Sequence, residues 1–300
     1  MTGPPVSVII PVFNGRAFIQ DAIESVLSQD YPALELIVVD DGSTDDTIEL
    51  VRPFLPRVTL LQQQNAGQSV ALATGWAQAS GILLGYLSAD DLLRPGAITT
   101  IAKALTDAPQ AVLGYPDFGL IDETSRATDQ VITPDYDERR LIGQLHCLPG
   151  PGALFRRDAY ERAGPWDPGL RQIPDLDFFL RMALLGPFVR VPHVLADYRI
   201  HAGATTYRPA TPDRADEPLR VVDQYFGRTD LPDRIRRYHR EAKANALLLS
   251  GVMHGRSLRP RCATSRFLRA FLADPRVLPT RKTLGFIADS AAANLKRTRR

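Results

Sequence analysis

The chain has 300 residues, 44% of them apolar and 23% charged, with a formal net charge of +2. That balance fits one large globular domain, or one domain with an appendage, and argues against disordered and fibrous classes. Two distant cysteines, Cys147 and Cys262, share no metal-ligand spacing, so a reducing, cytoplasmic setting is expected and a disulfide framework is not. No run reaches the roughly 18 apolar residues of a membrane helix. The opening MTGPPVSVIIPVFN lacks a basic region and its apolar run is broken by Pro11, so it reads as a first strand rather than a signal peptide.

In chain order, Val6 to Val12 is a nearly continuous apolar run of the kind a buried parallel strand presents. Phe18, Ile19, Ala22, Ile23, Val26 and Leu27 then recur at helical spacing. Strands follow at Leu34–Val39, Val58–Leu61, Ile82–Leu87 and Ala111–Tyr115, with helices between them at Asp46–Leu55, Ser69–Ala79 and Pro95–Leu105. This alternation implies βαβ units and a mostly parallel central sheet flanked by helices, an α/β fold. Beyond Gly119 the pattern loosens. Asp122–Asp137 reads as a loop or hairpin, Ala153-Leu154-Phe155 as a strand, Asp175–Leu185 as a helix and Phe188–Tyr198 as strand material. Proline, threonine and charge crowd Tyr207–Pro218, which divides a domain over 1–210 from a basic, mainly helical region over 211–300. In that region Ile235–Leu249, Thr264–Leu272 and Thr283–Leu295 read as amphipathic helices.

Acidic residues close the strands. Asp40-Asp41 ends one apolar run, Asp90-Asp91 another, and Asp175 with Asp177 opens the later helix. Carboxylates at the C-terminal ends of buried strands lie where an open α/β sheet places its ligand crevice. Phe13 offers either a face for a base to stack on or one more core ring. Asp41, ahead of Gly42 and Ser43, either accepts from a ligand or begins a capped helix entry. Asp90 and Asp91 would repel each other unless a cation or strong donors compensate, and Mn²⁺ or Mg²⁺ prefers such oxygen ligands. The alternative is a solvated helix start. Asp175 is placed either as a general base or as an N-cap. Asp177 and Arg181 stand four apart and could pair.

The order Pro11-Val12-Phe13-Asn14, Val38-Val39-Asp40-Asp41-Gly42-Ser43, Asn65-Ala66-Gly67-Gln68-Ser69 and Ser88-Ala89-Asp90-Asp91 resembles the family 2 glycosyltransferases of GT-A fold, from about Val6 to His201. The resemblance implies an inverting transfer of a sugar from a nucleoside diphosphate, most often UDP, to a hydroxyl on a saccharide, lipid-linked or protein acceptor. It implies a nucleotide-sugar site at Pro11, Phe13, Asn14, Asp41, Gly67 and Asp90. A metal would be held by Asp90, Asp91 and His201, and the base would be Asp175, supported by Asp177, Arg181 and Arg199. Gly150-Pro151-Gly152 would be an acceptor-side loop, or else a plain turn. Two positions depart from the pattern: Ser88 replaces the first Asp of Asp-x-Asp, and Pro174 replaces a Glu before Asp175. They keep open a second reading, a GT-A-like module that binds sugar nucleotide or glycan without turnover.

Other classes fit poorly. Pro11-Val12-Phe13-Asn14-Gly15-Arg16 stands where a dinucleotide-binding fold needs its glycine turn, and no P-loop run occurs. Residues 1–212 carry 16 Lys and Arg against 25 Asp and Glu, whereas residues 213–300 carry 20 against 9. The basic region, with Arg266, Arg269, Lys282, Lys296 and Arg297 near apolar residues, either rests on an anionic membrane at its cytoplasmic face, presents solvated helix faces, packs against the catalytic domain or mediates dimerisation. Sparse aromatics argue against nucleic acid.

Overall fold

The computed structural model describes residues 3–201, 203–204, 208–277 and 285. The helix expected over 283–295, with Lys282, Lys296 and Arg297, falls outside those residues, apart from position 285. The chain divides into two compact units. The first comprises residues 1–136, 147–169 and 181–201; the second comprises 137–146, 170–180 and 202–300. The main crossover, at 201/202, precedes the expected 210/211 boundary, and two short segments of the first 200 residues also belong to the second unit.

The first unit is built on one nine-stranded sheet. Its strands are β1 (Val6–Val12), β2 (Leu34–Asp40), β3 (Thr59–Gln62), β4 (Leu83–Tyr86), β5 (Leu92–Leu93), β6 (Leu113–Ile121), β7 (Ala127–Val131), β8 (Leu154–Arg156) and β9 (Phe188–Arg199). They run in the order β3-β2-β1-β4-β8-β6-β9-β5, with β7 paired to β6. The β3-β2-β1-β4 half is parallel throughout, as the apolar runs predict. Beyond β4 the sheet is mixed: β8 is antiparallel to β4 and β6, β9 is parallel to β6 but antiparallel to β5, and β6 and β7 form a hairpin. The long pairings, β1 with β2 and β6 with β9, are parallel, and the antiparallel ones are short, so the sheet is mostly parallel as expected. β5 and β8, at two and three residues, are too short to show periodicity.

Every residue of β1 is buried. Helix α1 (Ile19–Leu27) buries Ile19, Ala22, Ile23 and Val26, and the same spacing seats Ile98, Ile101, Ala102 and Leu105 of α4 (Ala97–Asp107). These side chains join the strand residues in one core, and apolar burial at this scale supplies the main drive for folding. The helix expected over Asp46–Leu55 is split into α2 (Thr47–Val51) and a 3₁₀ turn over Arg52–Phe54, where Pro53 has no N–H to continue the α pattern. Helix α3 (Gln68–Gln78) carries Trp76, fully buried against Phe155 and Trp166, and α5 (Arg157–Ala163) follows β8.

Helix α6 (Pro174–Met182) carries the chain from the second unit to the first. Among the described residues, the second unit otherwise contains a π-helical turn over Arg139–Gly143 and five more helices. They are α7 (Pro212–Ala215), α8 (Glu217–Phe226), α9 (Asp233–Arg236), α10 (His239–Arg256) and α11 (Pro260–Ala273). Helices α7 and α8 are absent from the sequence expectation, which places a boundary over Tyr207–Pro218 and its first helix at Ile235–Leu249, where α9 and α10 lie.

Candidate active site

The register places Val12 opposite Asp40 and Asp40 opposite Gln62, so β1, β2 and β3 end together on one rim. Two loops on that rim are tied to each other. Asn14 adopts a left-handed φ of 53°. Its N–H donates to Ser43 Oγ at 2.8 Å, and its Oδ1 accepts from Thr44 N at 2.8 Å. Gly15 N donates to Thr47 Oγ1 at 2.9 Å and Arg16 N to Asp45 Oδ2 at 3.3 Å. Between these ties and β1 the Phe13 ring stands 51% exposed, which removes the core reading. Pro11 is a buried β1 residue opposite Val39.

Asp41 is buried, at 3% exposure, yet fully engaged by donors. Gln63 Nε2 and Ala66 N donate to its Oδ1 at 2.8 and 2.9 Å, and Gly67 N to its Oδ2 at 2.7 Å. A carboxylate has about four acceptor positions, so three are taken in shaping the 63–67 loop. Gly67 has φ 93° and ψ 163°, a backbone region open essentially to glycine, and it begins α3. Gly42, at φ 77°, lies so close to this loop that a Cβ would sit 2.9 Å from Asn65 N.

The acidic turn after β4 separates its two members. Asp91 is 3% exposed and accepts from Arg199 N at 2.9 Å. Burial first, then the neighbouring charges of Asp90 and Asp197, raise its pKa well above the usual carboxylate value, against the pull of Arg199. Asp90 is one-third exposed and its Oδ2 lies 2.9 Å from His201 Nε2. Since a carboxylate only accepts, Nε2 carries the hydrogen between them. Arg199 is fully buried: Nε donates to Asp90 O at 2.8 Å, and Nη1 to Ser125 Oγ at 2.8 Å and Asp122 O at 3.2 Å. Its guanidinium lies 4.6 Å from the centre of the Phe18 ring, which also meets His201 edge-on at 5.0 Å. Arg199 thus braces the acidic turn from inside.

In the second unit, Asp175 and Asp177 lie in the first turn of α6, and Leu176 N donates to Asp175 Oδ1 at 2.9 Å. Asp177 is nearly buried. Ahead of the helix, buried Glu217 accepts from three successive backbone N–H groups, those of Arg171, Gln172 and Ile173. In the first unit, Arg181 donates to the carbonyl oxygens of Ala163, Gly164 and Pro165. Gly150 packs on Phe118, where a Cβ would come within 2.4 Å of the ring, so its smallness is already used by the fold.

Residues 7–164 match the sequence model described as Glycosyl transferase family 2. The chain belongs to this family. An uncharacterized glycosyltransferase of Rickettsia prowazekii is 31% identical over 210 residues, 68% of this chain and 66% of the relative, so the match spans just under two thirds of that protein. Staphylococcus aureus TarS 1–349, solved with UDP-GlcNAc, superposes with a TM-score of 0.72 at 16% identity over 97% of this chain and 89% of that one. The mannosyltransferase PcManGT of Pyrobaculum calidifontis, solved with GDP-Man and Mn²⁺, gives 0.63 at 20% identity over 98% and 81%. These likenesses identify the fold of this family 2 glycosyltransferase as GT-A, with its helices C-terminal to the sheet.

Within the family 2 domain, the three side chains expected to hold a metal are divided. Among the described residues no three His, Cys, Asp or Glu side chains are placed to hold an ion. Asp91 accepts from Arg199 N through Oδ1, while Asp90 and His201 meet as a pair. Their 2.9 Å approach would let both side chains reach one ion, once Nε2 gives up its hydrogen. One carboxylate and one imidazole fit an ion shared with substrate phosphates rather than an all-protein cage. Ser43, Thr47 and Glu217 were missed by the sequence reading. Ser43 belongs to the acidic strand-end run Asp40-Asp41-Gly42-Ser43, whereas nothing near Glu217 marks it.

Proposed function

We propose that this chain is an inverting, divalent-metal-dependent glycosyltransferase moving a sugar from a nucleoside diphosphate to an acceptor hydroxyl. The Asp90–His201 pair carries the reading, because it joins a one-third exposed carboxylate in the turn after β4 to an imidazole just beyond β9. Asp90 and His201 would hold Mn²⁺ or Mg²⁺ at the donor diphosphate, with Asp91 and Arg199 fixing the turn beneath. Such an ion offsets charge gathering on the departing diphosphate, an effect of several kcal/mol. Phe13 offers the stacking face for the base, while Pro11, Asn14, Asp41 and Gly67 shape the nucleoside's surroundings. Asp175 takes the proton of the attacking hydroxyl, and Asp177 and Arg181 support its helix.

Residues 1–210 form the catalytic domain in this proposal. UDP-sugars are the favoured donors, with GDP-sugars the first competitors, and polysaccharide or glycoconjugate hydroxyls the acceptors. A donor screen read by product mass spectrometry, with Mn²⁺ or Mg²⁺ and then with chelator, tests the reading. Metal-stimulated transfer is expected. Nucleotide binding with neither transfer nor donor hydrolysis would turn the assignment to a binding module.

Among the described residues no helix is long and apolar enough to cross a membrane. Exposed Leu268, Phe271 and Leu272 on α11, close in sequence to exposed Arg269, support peripheral contact with an anionic bilayer on the cytoplasmic side.

A further inference from the structure

We infer that Glu217 is a positioning residue for Asp175, which makes the C-terminal helices part of the catalytic apparatus. The inference rests on the reading of Asp175 as the base. Glu217 opens α8 and is 1% exposed. Its Oε1 accepts from Arg171 N at 2.9 Å, and its Oε2 from Gln172 N at 2.7 Å and Ile173 N at 3.2 Å. Three consecutive N–H groups converging on one anion form a concave cradle whose shape depends on that anion. The cradle ends at Ile173, two positions before Asp175. Pro174 between them has no N–H, and its ring fixes φ, so the path from Ile173 into α6 has little freedom.

Glu217 is itself held in place by its neighbour. Asp216 accepts from Ser250 Oγ at 2.6 Å and from Arg266 Nη2 at 2.7 Å, and lies 3.3 Å from His254 Nε2. Ser250 and His254 belong to α10 and Arg266 to α11. Two adjacent carboxylates thus perform opposite tasks. Asp216 fastens the start of α8 to the last helices, and Glu217 fastens the turn that leads to Asp175. A general base works only near its productive geometry, and a displacement of about 1 Å costs roughly 10²-fold in rate.

The test is Glu217→Gln in the full chain, where one acceptor oxygen becomes an NH₂ facing backbone donors. The expected result is a fall in kcat of about 10²-fold, with the donor KM and the calorimetric nucleotide affinity unchanged and faster amide exchange at Arg171, Gln172 and Ile173. Glu217→Asp, which keeps the charge, recovers part of kcat and serves if the Gln variant does not fold. An unchanged kcat per nucleotide-binding molecule, with only the melting temperature lowered, would overturn the inference. Asp175→Asn is run beside them. If it is inactive while Glu217→Gln is fully active, the base stands and the cradle role falls; if it retains full transfer, the base assignment falls and takes this inference with it.

Discussion

His201 Nε2 lies 2.9 Å from Asp90 Oδ2, while Asp91, one residue along, is buried on Arg199 N. The neighbours should therefore respond differently to the same change. Asp90→Asn is expected to lower metal-stimulated transfer by about 10²-fold or more, the loss of a several-kcal/mol metal contribution. Asp91→Asn keeps an oxygen for Arg199 N and should retain most transfer. Initial rates across a Mn²⁺ titration check both, and equal loss in the two would return Asp91 to the ligand set.

Asp41→Asn replaces two acceptor oxygens by one, leaving either Gly67 N or the Gln63–Ala66 pair without its partner. Stability should fall by about 1–3 kcal/mol, with weaker nucleotide binding. Thermal melts and calorimetry measure the two effects.

Gly67→Ala forces a side chain onto φ 93° and ψ 163°. The strain is about 1–3 kcal/mol, and the 63–67 loop should shift with it. A lower melting temperature together with a raised donor KM is expected. An unaltered melt would show that the loop relaxes freely.

Acid should act through Asp117. Burial pushes its carboxyl up, but hydrogen bonds from Arg190 and Thr133 win and hold it below the usual value. A depressed folded pKa stabilises the fold above the unfolded value of about 3.9 and is lost as pH falls through the folded value. Asp117→Asn keeps one acceptor oxygen but removes the charge facing Arg190, which retains Asp135 and Thr133, and should cost about 1–3 kcal/mol at pH 7. Denaturant midpoints should show that gap narrowing below about pH 4.

Replacing Leu268 and Leu272 by serine removes exposed apolar side chains from α11 without touching Arg266. Flotation with anionic vesicles should drop severalfold as buried apolar area is lost. Unchanged flotation would remove the membrane proposal.

The β-α alternation of the first 120 residues could be read directly, because strands covered on both faces are written as nearly continuous apolar runs such as Val6–Val12. The mixed half was legible in part: Ala153-Leu154-Phe155 and Phe188–Tyr198 read as strands, whereas the two-residue strand Leu92–Leu93 pairs only because β9 is there to receive it. In the candidate site, strand-end acids announced themselves by position, but Asp90 and Asp91 are the same residue type side by side. What separates them is Arg199, 108 positions after Asp91. Glu217 was hidden for a similar reason: its donors are 44 to 46 residues away, and its own surroundings look like a linker.

The ties from Asn14, Gly15 and Arg16 to Ser43, Thr44, Asp45 and Thr47 bear on any attempt to re-engineer donor choice. Grafting the segment after β1 from a relative, while keeping the native segment after β2, would break a matched set of partners. The two segments have to be transplanted as a pair.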